Sequence, residues 1–308
     1  MVARHASPLE ALLVDERFDG EITPHEPMSR HTTYHIGGPA RYFVRVHSVS
    51  ALSRVLEACK AMGEKWYIVG RGSNLLVADE GVDGAVIVLG RDFRSMRFDS
   101  EKSRLMLGAG VPLSSAVQEA FRRSLAGLEF AVGTPGSVGG ALRMNAGSRD
   151  EWLGARVESV TSFSVEGGLV RRLGSEIEWG YRCSSFSPDE VLVECELNME
   201  PADPFYIRGK MEASLKRRKA TQPLQQPSCG SVFKNPEGAS VGDLIERAGL
   251  KGVAVGGAQI SDVHANFIVN TGNATARDVL SLIELVQGKV LEAYGIALKP
   301  EVKLLGFE

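Results

Sequence analysis

At 308 residues, 44% hydrophobic and 24% charged with a formal net charge of −3, the chain has the composition of a globular enzyme-sized protein with room for two domains of about 100–200 residues each. The near-neutral charge excludes the dense basic surface that nucleic-acid binding by counterion release requires. No run approaches the roughly 18–20 apolar residues of a membrane span, and Met1–Leu13 lacks the apolar centre of a secretory signal, so a cytoplasmic protein without membrane or nucleic-acid partners is expected.

Residues 1–30 read as a polar lead-in with one short amphipathic helix on Leu9, Leu12 and Leu13. A turn-rich stretch, His31–Ala40, leads into a strand over Arg41–Val46. Leu52, Val55, Leu56, Cys59 and Met62 recur at helical spacing, with Ser48 or Ser50 as cap and Gly63 as stop. The strand Trp66–Val69 runs into Gly70-Arg71-Gly72-Ser73-Asn74-Leu75, a glycine-rich turn at a strand's carboxyl end, where open α/β sheets place ligands. Strands are expected at Ala85–Leu89, Ser95–Asp99 and Leu105–Leu107, then a helix from Pro112 on Leu113, Ala116, Val117, Ala120 and Phe121. A second glycine-rich loop follows, Gly133-Thr134-Pro135-Gly136-Ser137-Val138-Gly139-Gly140 and on to Gly147, with no acidic side chain. Free N–H groups in such a loop form a concavity for an anion, although a tight structural turn explains an isolated case equally simply.

Strands Val157–Val165 and Leu169–Leu173 form a hairpin about Glu166-Gly167-Gly168, and Val191–Met199 is a further strand. Pro201-Ala202-Asp203-Pro204 is the predicted boundary, giving residues 1–203 and 204–308. The segment from Pro204 carries 13 Lys/Arg against 10 Asp/Glu, a balance suited to an anionic small molecule. It opens with a helix over Phe205–Lys219 ending in Lys216-Arg217-Arg218-Lys219, which complements the helix's own dipole as readily as it meets a ligand. Capping patterns at Ser240–Asp243 and Thr275–Asp278 begin two more helices, the second running to Gly295. Strands are expected at Asn266–Asn270 and Ile296–Leu305. The mixed order gives an α+β fold. Cys59, Cys183, Cys195 and Cys229 form no CxxC pair and no zinc spacing, so free thiols and no metal are expected.

Gly70–Leu75 begins like a dinucleotide fingerprint, but its third glycine is Leu75 and the βαβ context is missing; P-loop, HExxH and GxSxG patterns do not occur. Seven stretches, in order, do resemble those of the UDP-N-acetylenolpyruvoylglucosamine reductase family, flavoenzymes of bacterial cell-wall precursor synthesis. They are His35–Ala40, Val69–Leu76, Gly133–Gly147, Gly180-Tyr181-Arg182-Cys183-Ser184-Ser185-Phe186, Gly230–Pro236, His264–Asn270 and Lys299–Val302. The resemblance implies an FAD-binding domain of the vanillyl-alcohol oxidase / p-cresol methylhydroxylase type, followed by a smaller α+β substrate domain. It implies non-covalent FAD, NADPH as hydride donor, and reduction of UDP-N-acetylglucosamine enolpyruvate to UDP-N-acetylmuramate in peptidoglycan synthesis, the pathway on which cell shape and division depend. A monomer is expected. An oxygen-using flavin oxidase of the same fold is the alternative, and a nucleotide-binding protein that has lost catalysis is a third reading.

By resemblance, Arg182, Ser231 and Glu301 are the catalytic set. Hydride addition to an enolpyruvyl group leaves charge in the adjacent carboxylate; a guanidinium forks onto it, a hydroxyl delivers the proton, and a carboxyl hydrogen-bonds the enediolate or relays a proton. Taken alone, Arg182 would be an ordinary ion-pair arginine, Pro-Ser-Cys-Gly-Ser an ordinary turn and Glu301 a surface residue. The cofactor side comprises Ile36, Gly37, Gly38, Val69, Gly70, Arg71, Gly72, Ser73, Asn74, Leu75, Gly133, Thr134, Pro135, Gly136, Ser137, Gly139, Gly140, Asn145 and Ala146. Within it, main-chain N–H groups of Gly70–Leu75 and Ser137–Gly140 are expected to meet the diphosphate, helped by the Ser73, Asn74 and Ser137 side chains, with Asn145 and Ala146 bordering the isoalloxazine. Tyr181, Lys234, Asn235 and His264 are the substrate-side residues, and His264 fits a satisfied core histidine equally well. The chain departs from many members at Gly147-Ser148-Arg149-Asp150, where Gly-Ala-Tyr-Gly is common, and at Arg71. It has no insertion for the tyrosine-bearing loop of one subgroup, which places it in the loopless one.

Overall fold

The computed structural model describes residues 8–148 and 150–307, so the first seven residues, Arg149 and Glu308 lie outside the described part. In chain order the elements are α1 (Pro8–Leu13), β1 (Gly20–Pro27), β2 (Pro39–Val46), α2 (Val49–Met62), β3 (Trp66–Ile68), β4 (Leu75–Val77), β5 (Val82–Leu89), β6 (Met96–Asp99), β7 (Arg104–Gly108), α3 (Leu113–Arg122) and β8 (Leu125–Ala126). They continue with α4 (Val138–Arg143), β9 (Val157–Ser164), β10 (Gly168–Leu173), β11 (Trp179–Gly180), β12 (Cys183–Ser184), β13 (Val191–Asn198) and β14 (Glu200–Pro201). The remainder are α5 (Pro204–Thr221), α6 (Val241–Arg247), β15 (Ala254–Val255), β16 (Ala258–Ile260), β17 (Ile268–Asn270), α7 (Ala276–Tyr294) and β18 (Lys303–Leu305).

These elements form two compact units, neither of them continuous in sequence. The first holds residues up to Glu26, Arg41–Gly70 and Asp83–Ser214; the second holds Pro27–Ala40, Arg71–Val82 and Leu215–Glu308. The boundary expected at 203/204 is therefore displaced. Helix α5 begins at Pro204, where a proline at a helix start has no N–H to lose; the division falls within this helix, after Ser214, and the second unit recruits two earlier segments.

The first unit contains a sheet of order β1-β2-β5-β3 and an antiparallel sheet of order β10-β9-β13-β7-β6. Helix α2 forms as its apolar spacing predicts: Ser48 accepts from Ala51 N–H, Gly63 closes the end at φ 63°, and Leu52, Val55, Leu56 and Cys59 are buried. Strand β1 was not legible. It is an edge strand of alternating, largely polar character, Gly-Glu-Ile-Thr-Pro-His-Glu-Pro, with a proline that only an edge tolerates.

In the second unit the core gathers Tyr34, Ile36 and Leu76 with Phe233, Ile245, Ile268, Leu282, Val286 and Val302. The small sheet β15-β16-β17 and the parallel pair β18-β4 border it. Thr275 and Asp278 cap α7 reciprocally, and Gly295 ends it at φ 67°. Asp79 adds a remote cap, accepting the N–H groups of Ala276 at 2.8 Å and Arg277 at 3.1 Å. The strand expected over Ile296–Leu305 shrinks to Lys303–Leu305. Pro300 interrupts the ladder, leaving an isolated bridge between Phe233 and Pro300.

Candidate active site

In the first unit the glycine-rich stretch is a loop only as far as Ser137. Residues 138–143 coil into α4 because Val138, Ala141 and Leu142 supply a buried face. Ser137 caps this helix, its hydroxyl accepting from Gly140 N–H at 3.3 Å. Val138 and Gly139 N–H donate to the carbonyls of Val111 and Ala109, at 2.9 and 2.8 Å. Three N–H groups expected to face a phosphate are thus engaged by the protein. Among the described residues, the N–H groups of Gly136 and Ser137 meet no protein acceptor, so of the expected donors in this loop Ser137 stays available, joined by Gly136 just upstream.

Gly70 lies against this turn. A Cβ there would collide with the Ser137 hydroxyl, so only glycine permits the approach. Val69, just before it, is buried and donates its N–H to Ile87 C=O at 2.9 Å.

The far end of α4 is tied to the segment bearing Arg182. Strands β11 and β12 pair Trp179 with Ser184 and Gly180 with Cys183, leaving Tyr181 and Arg182 as a two-residue turn. Asn145 holds the turn's base: its Nδ2 donates to Gly180 C=O at 3.0 Å while its Oδ1 accepts Gly154 N–H at 2.9 Å. Arg182 Nη1 donates to Gly147 C=O at 2.8 Å, and the guanidinium lies 5.2 Å from the centre of the Tyr181 ring. Arg143 donates to the carbonyls of Phe186, Ser187 and Glu190, fixing the segment's exit. Burial, against the partly compensating Glu190, draws the Arg143 pKa below its ordinary value. Asn145 and Arg182 both lie in the left-handed region, at φ 41° and 55°, a conformation that such tertiary bonds must hold.

Gly133, Thr134, Pro135 and Ala146 also belong to the first unit, and the second carries residues 36–38, 71–75 and the candidates from Ser231 onward. Ile36 is part of its core. Gly38 N–H donates to Ala78 C=O at 2.9 Å, and a Cβ on Gly38 would collide with the Asp79 carbonyl. The turn 71–74 leads into β4, which pairs in parallel with β18. Among the described residues, the main-chain N–H groups of Arg71, Gly72 and Asn74 meet no protein acceptor, as an anion-binding turn requires. The Asn74 side chain, however, donates to Glu301 C=O at 3.1 Å, and Asn74 C=O accepts Lys303 N–H at 3.0 Å. Part of its hydrogen-bonding capacity therefore serves the chain rather than a ligand.

Ser231 and Glu301 hang on one peptide. Val232 C=O accepts Glu301 N–H at 2.7 Å, and Lys234 N–H donates to Lys299 C=O at 2.9 Å. On the other side, Val232 and Phe233 are bonded to Asn266. Asn235 Oδ1 accepts Val241 N–H at 3.0 Å and so helps to cap α6. His264 Nδ1 accepts Asn266 N–H at 3.2 Å. Burial, and after it Lys251, lowers the His264 pKa, so the ring is neutral with its proton on Nε2, a single donor. In the basic run Lys216, Arg217 and Lys219 are exposed and Arg218 is half-buried, its pKa lowered by burial and by Arg217.

Asn266 and Arg143 carry most of this order, and neither was singled out from sequence. The available signal was polarity in an apolar context: Asn266 stands among buried Ala265, Phe267, Ile268 and Val269, where an amide must find partners. The four cysteines are free thiols. Among the described residues no acidic, His or Cys cluster suits a metal, and no helix is long and apolar enough to cross a membrane.

Residues 40–171 match an FAD binding domain, which with this α+β architecture and the relatives below makes the protein an FAD-containing oxidoreductase. Residues 222–305 match the C-terminal domain of UDP-N-acetylenolpyruvoylglucosamine reductase. The chain is 45% identical to UDP-N-acetylenolpyruvoylglucosamine reductase of Heliobacterium modesticaldum, covering 94% of this chain and 92% of that protein. It is 41% identical to the enzyme of the same name in Synechococcus sp., over 94% of each chain. The crystal structure of UDP-N-acetylenolpyruvylglucosamine reductase from Thermus caldophilus superposes with a TM-score of 0.81 at 37% identity, covering 93% of this chain and 98% of that one. The chain belongs to the UDP-N-acetylenolpyruvoylglucosamine reductase family.

Proposed function

We propose that this protein reduces the enolpyruvyl ether of UDP-N-acetylglucosamine to the lactyl ether, UDP-N-acetylmuramate, with NADPH as reductant, acting as a cytoplasmic monomer. The observation that carries the reading is the 2.7 Å bond from Glu301 N–H to Val232 C=O. It joins the peptide after the hydroxyl matched as proton donor to the segment bearing the matched carboxyl.

The residues present suit FAD. Arg71, Gly72, Asn74, Gly136 and Ser137 offer main-chain N–H groups for phosphate oxygens, and a close approach is kept open at Gly70. Ile36, Gly37, Gly38, Ser73, Thr134 and Pro135 would complete the binding segments, with Asn145 and Ala146 toward the isoalloxazine. Bound FAD supplies a centre that accepts hydride from NADPH and passes it to the substrate's terminal enol carbon. Residues 1–203 serve mainly the flavin and 204–308 mainly the sugar nucleotide, with 27–40 and 71–82 belonging structurally to the second unit.

Arg182, permanently protonated, forks onto the substrate carboxylate, where negative charge develops as hydride arrives. The Ser231 hydroxyl gives its proton to the carbon bearing the ether oxygen, and Glu301 hydrogen-bonds the enediolate oxygens or returns a proton to the serine. Tyr181, Lys234, Asn235 and the Nε2–H of His264 hold the sugar nucleotide.

Purified protein should be yellow and should oxidise NADPH at speed only when the enolpyruvyl sugar nucleotide is present. Ser231→Ala should leave flavin reduction by NADPH in place and slow its reoxidation by substrate by orders of magnitude. Colourless protein that takes up no FAD would overturn the cofactor reading, and equal loss in both half-reactions would make Ser231 structural.

A further inference from the structure

Asn266 is 5% exposed, yet every part of its amide has work. Its Oδ1 accepts Phe233 N–H at 2.9 Å and its Nδ2 donates to Phe233 C=O at 2.9 Å. One side chain thereby supplies the paired bonds that a neighbouring strand would supply. Its main-chain carbonyl accepts Val232 N–H, also at 2.9 Å. The two residues following Ser231 are thus fixed by three bonds to one residue. From the other side Val232 C=O receives the N–H groups of Glu301 and Val302 at 2.7 and 3.3 Å.

Upstream the situation is different. Ser228 C=O accepts the Thr33 hydroxyl at 2.7 Å and Cys229 is buried in the core, but Gly230 at φ 80°, with no atom within 4 Å of where a Cβ would stand, separates these anchors from Ser231. The bonds at Val232 and Phe233 are the anchors immediately adjoining Ser231. Only an amide offers donor and acceptor together at this reach: a carboxylate would accept Phe233 N–H but face Phe233 C=O lone pair to lone pair.

We propose that Asn266 is a positioning residue that aims the Ser231 hydroxyl and holds it in register with the Glu301 segment. The proposal rests on the reading of Ser231 as proton donor. It acts through the Val232–Phe233 peptide, without contact between Asn266 and substrate.

The test uses the flavin-loaded enzyme in single turnovers, with each half-reaction followed separately. Asn266→Ala and Asn266→Asp should both slow reoxidation of the flavin by the enolpyruvyl substrate at neutral pH, by about 10²-fold as misplaced groups do, with NADPH reduction far less changed. As pH falls, Asn266→Asp should approach wild type measured at the same pH, because a protonated carboxyl again offers one donor and one acceptor; Asn266→Ala should not. Asn266→Ala combined with Ser231→Ala should lose no more than Ser231→Ala alone. In apoprotein, the Val232 and Phe233 amides should exchange faster in Asn266→Ala. Equal loss in both half-reactions with no acid recovery would overturn the proposal, as would an Asn266→Asp enzyme that matches wild type at neutral pH. If Asn266→Ala does not fold, the pH series of Asn266→Asp decides. Failure of Ser231→Ala alone to slow reoxidation would instead sink the serine's assignment, and the proposal with it.

Discussion

Arg182 shows how much of a site's chemistry resides in backbone placement. At φ 55° it stands at the tip of a two-residue turn, with Nη1–H bound to Gly147 C=O, so one end of a planar, five-donor fork is fixed by the backbone. Lysine keeps the charge but not the fork. Arg182→Lys should slow substrate-driven flavin reoxidation by about 10²–10³-fold, the usual loss for a donor aimed at developing charge, with NADPH-driven reduction retained; stopped-flow traces of the two steps check this. Gly70 tests the cofactor side. Gly70→Ala should push the Ser137 hydroxyl away and yield protein with little flavin after gel filtration, whereas Gly209→Ala, in open space on α5, should emerge fully loaded. Arg182, Ser231 and Glu301 were legible as candidates because their flanking motifs are specific. Their supports were not, since Asn266 reaches 33 residues along the chain and Arg143 as many as 47, and no local pattern encodes such partners.

Elements were legible where periodicity and burial agree. Helices α2, α3 and α7 bury the faces their spacing marks, and the β9–β10 hairpin pairs as its glycine turn requires. Helix α4 was hidden because four of the eight residues from Gly133 to Gly140 are glycines, a composition read as loop. The segment between β16 and β17 makes a pH prediction. His264 is neutral in the folded protein because burial and Lys251 lower its pKa beneath the ordinary 6.5. The unfolded chain therefore binds the extra proton first, and stability must fall as pH drops below about 6.5 until the folded pKa is reached, after which this contribution levels off. Denaturant titrations over that range should show a shallower decline for His264→Gln than for wild type.

On the scale of the molecule, the chain passes from one compact unit to the other five times, so the linear boundary near Pro204 separates sequence motifs without separating structures. A fragment of residues 204–308 would lack Tyr34, Ile36 and Leu76, three buried members of its core, and the Asp79 cap of α7. It should show little cooperative unfolding by circular dichroism, and adding residues 27–82 as a separate peptide should restore part of it. Strand β18 pairs with β4 from more than 200 residues away, and the Asn74 side chain reaches Glu301 227 residues later. A ribosome adding about 5–20 residues per second leaves Asn74 without that partner for about 10–50 s. The turn made early in synthesis is thus finished only by residues made much later, and emergence of the Glu301 segment, rather than appearance of the glycine-rich motif, sets the moment at which the second unit can first assume its working form.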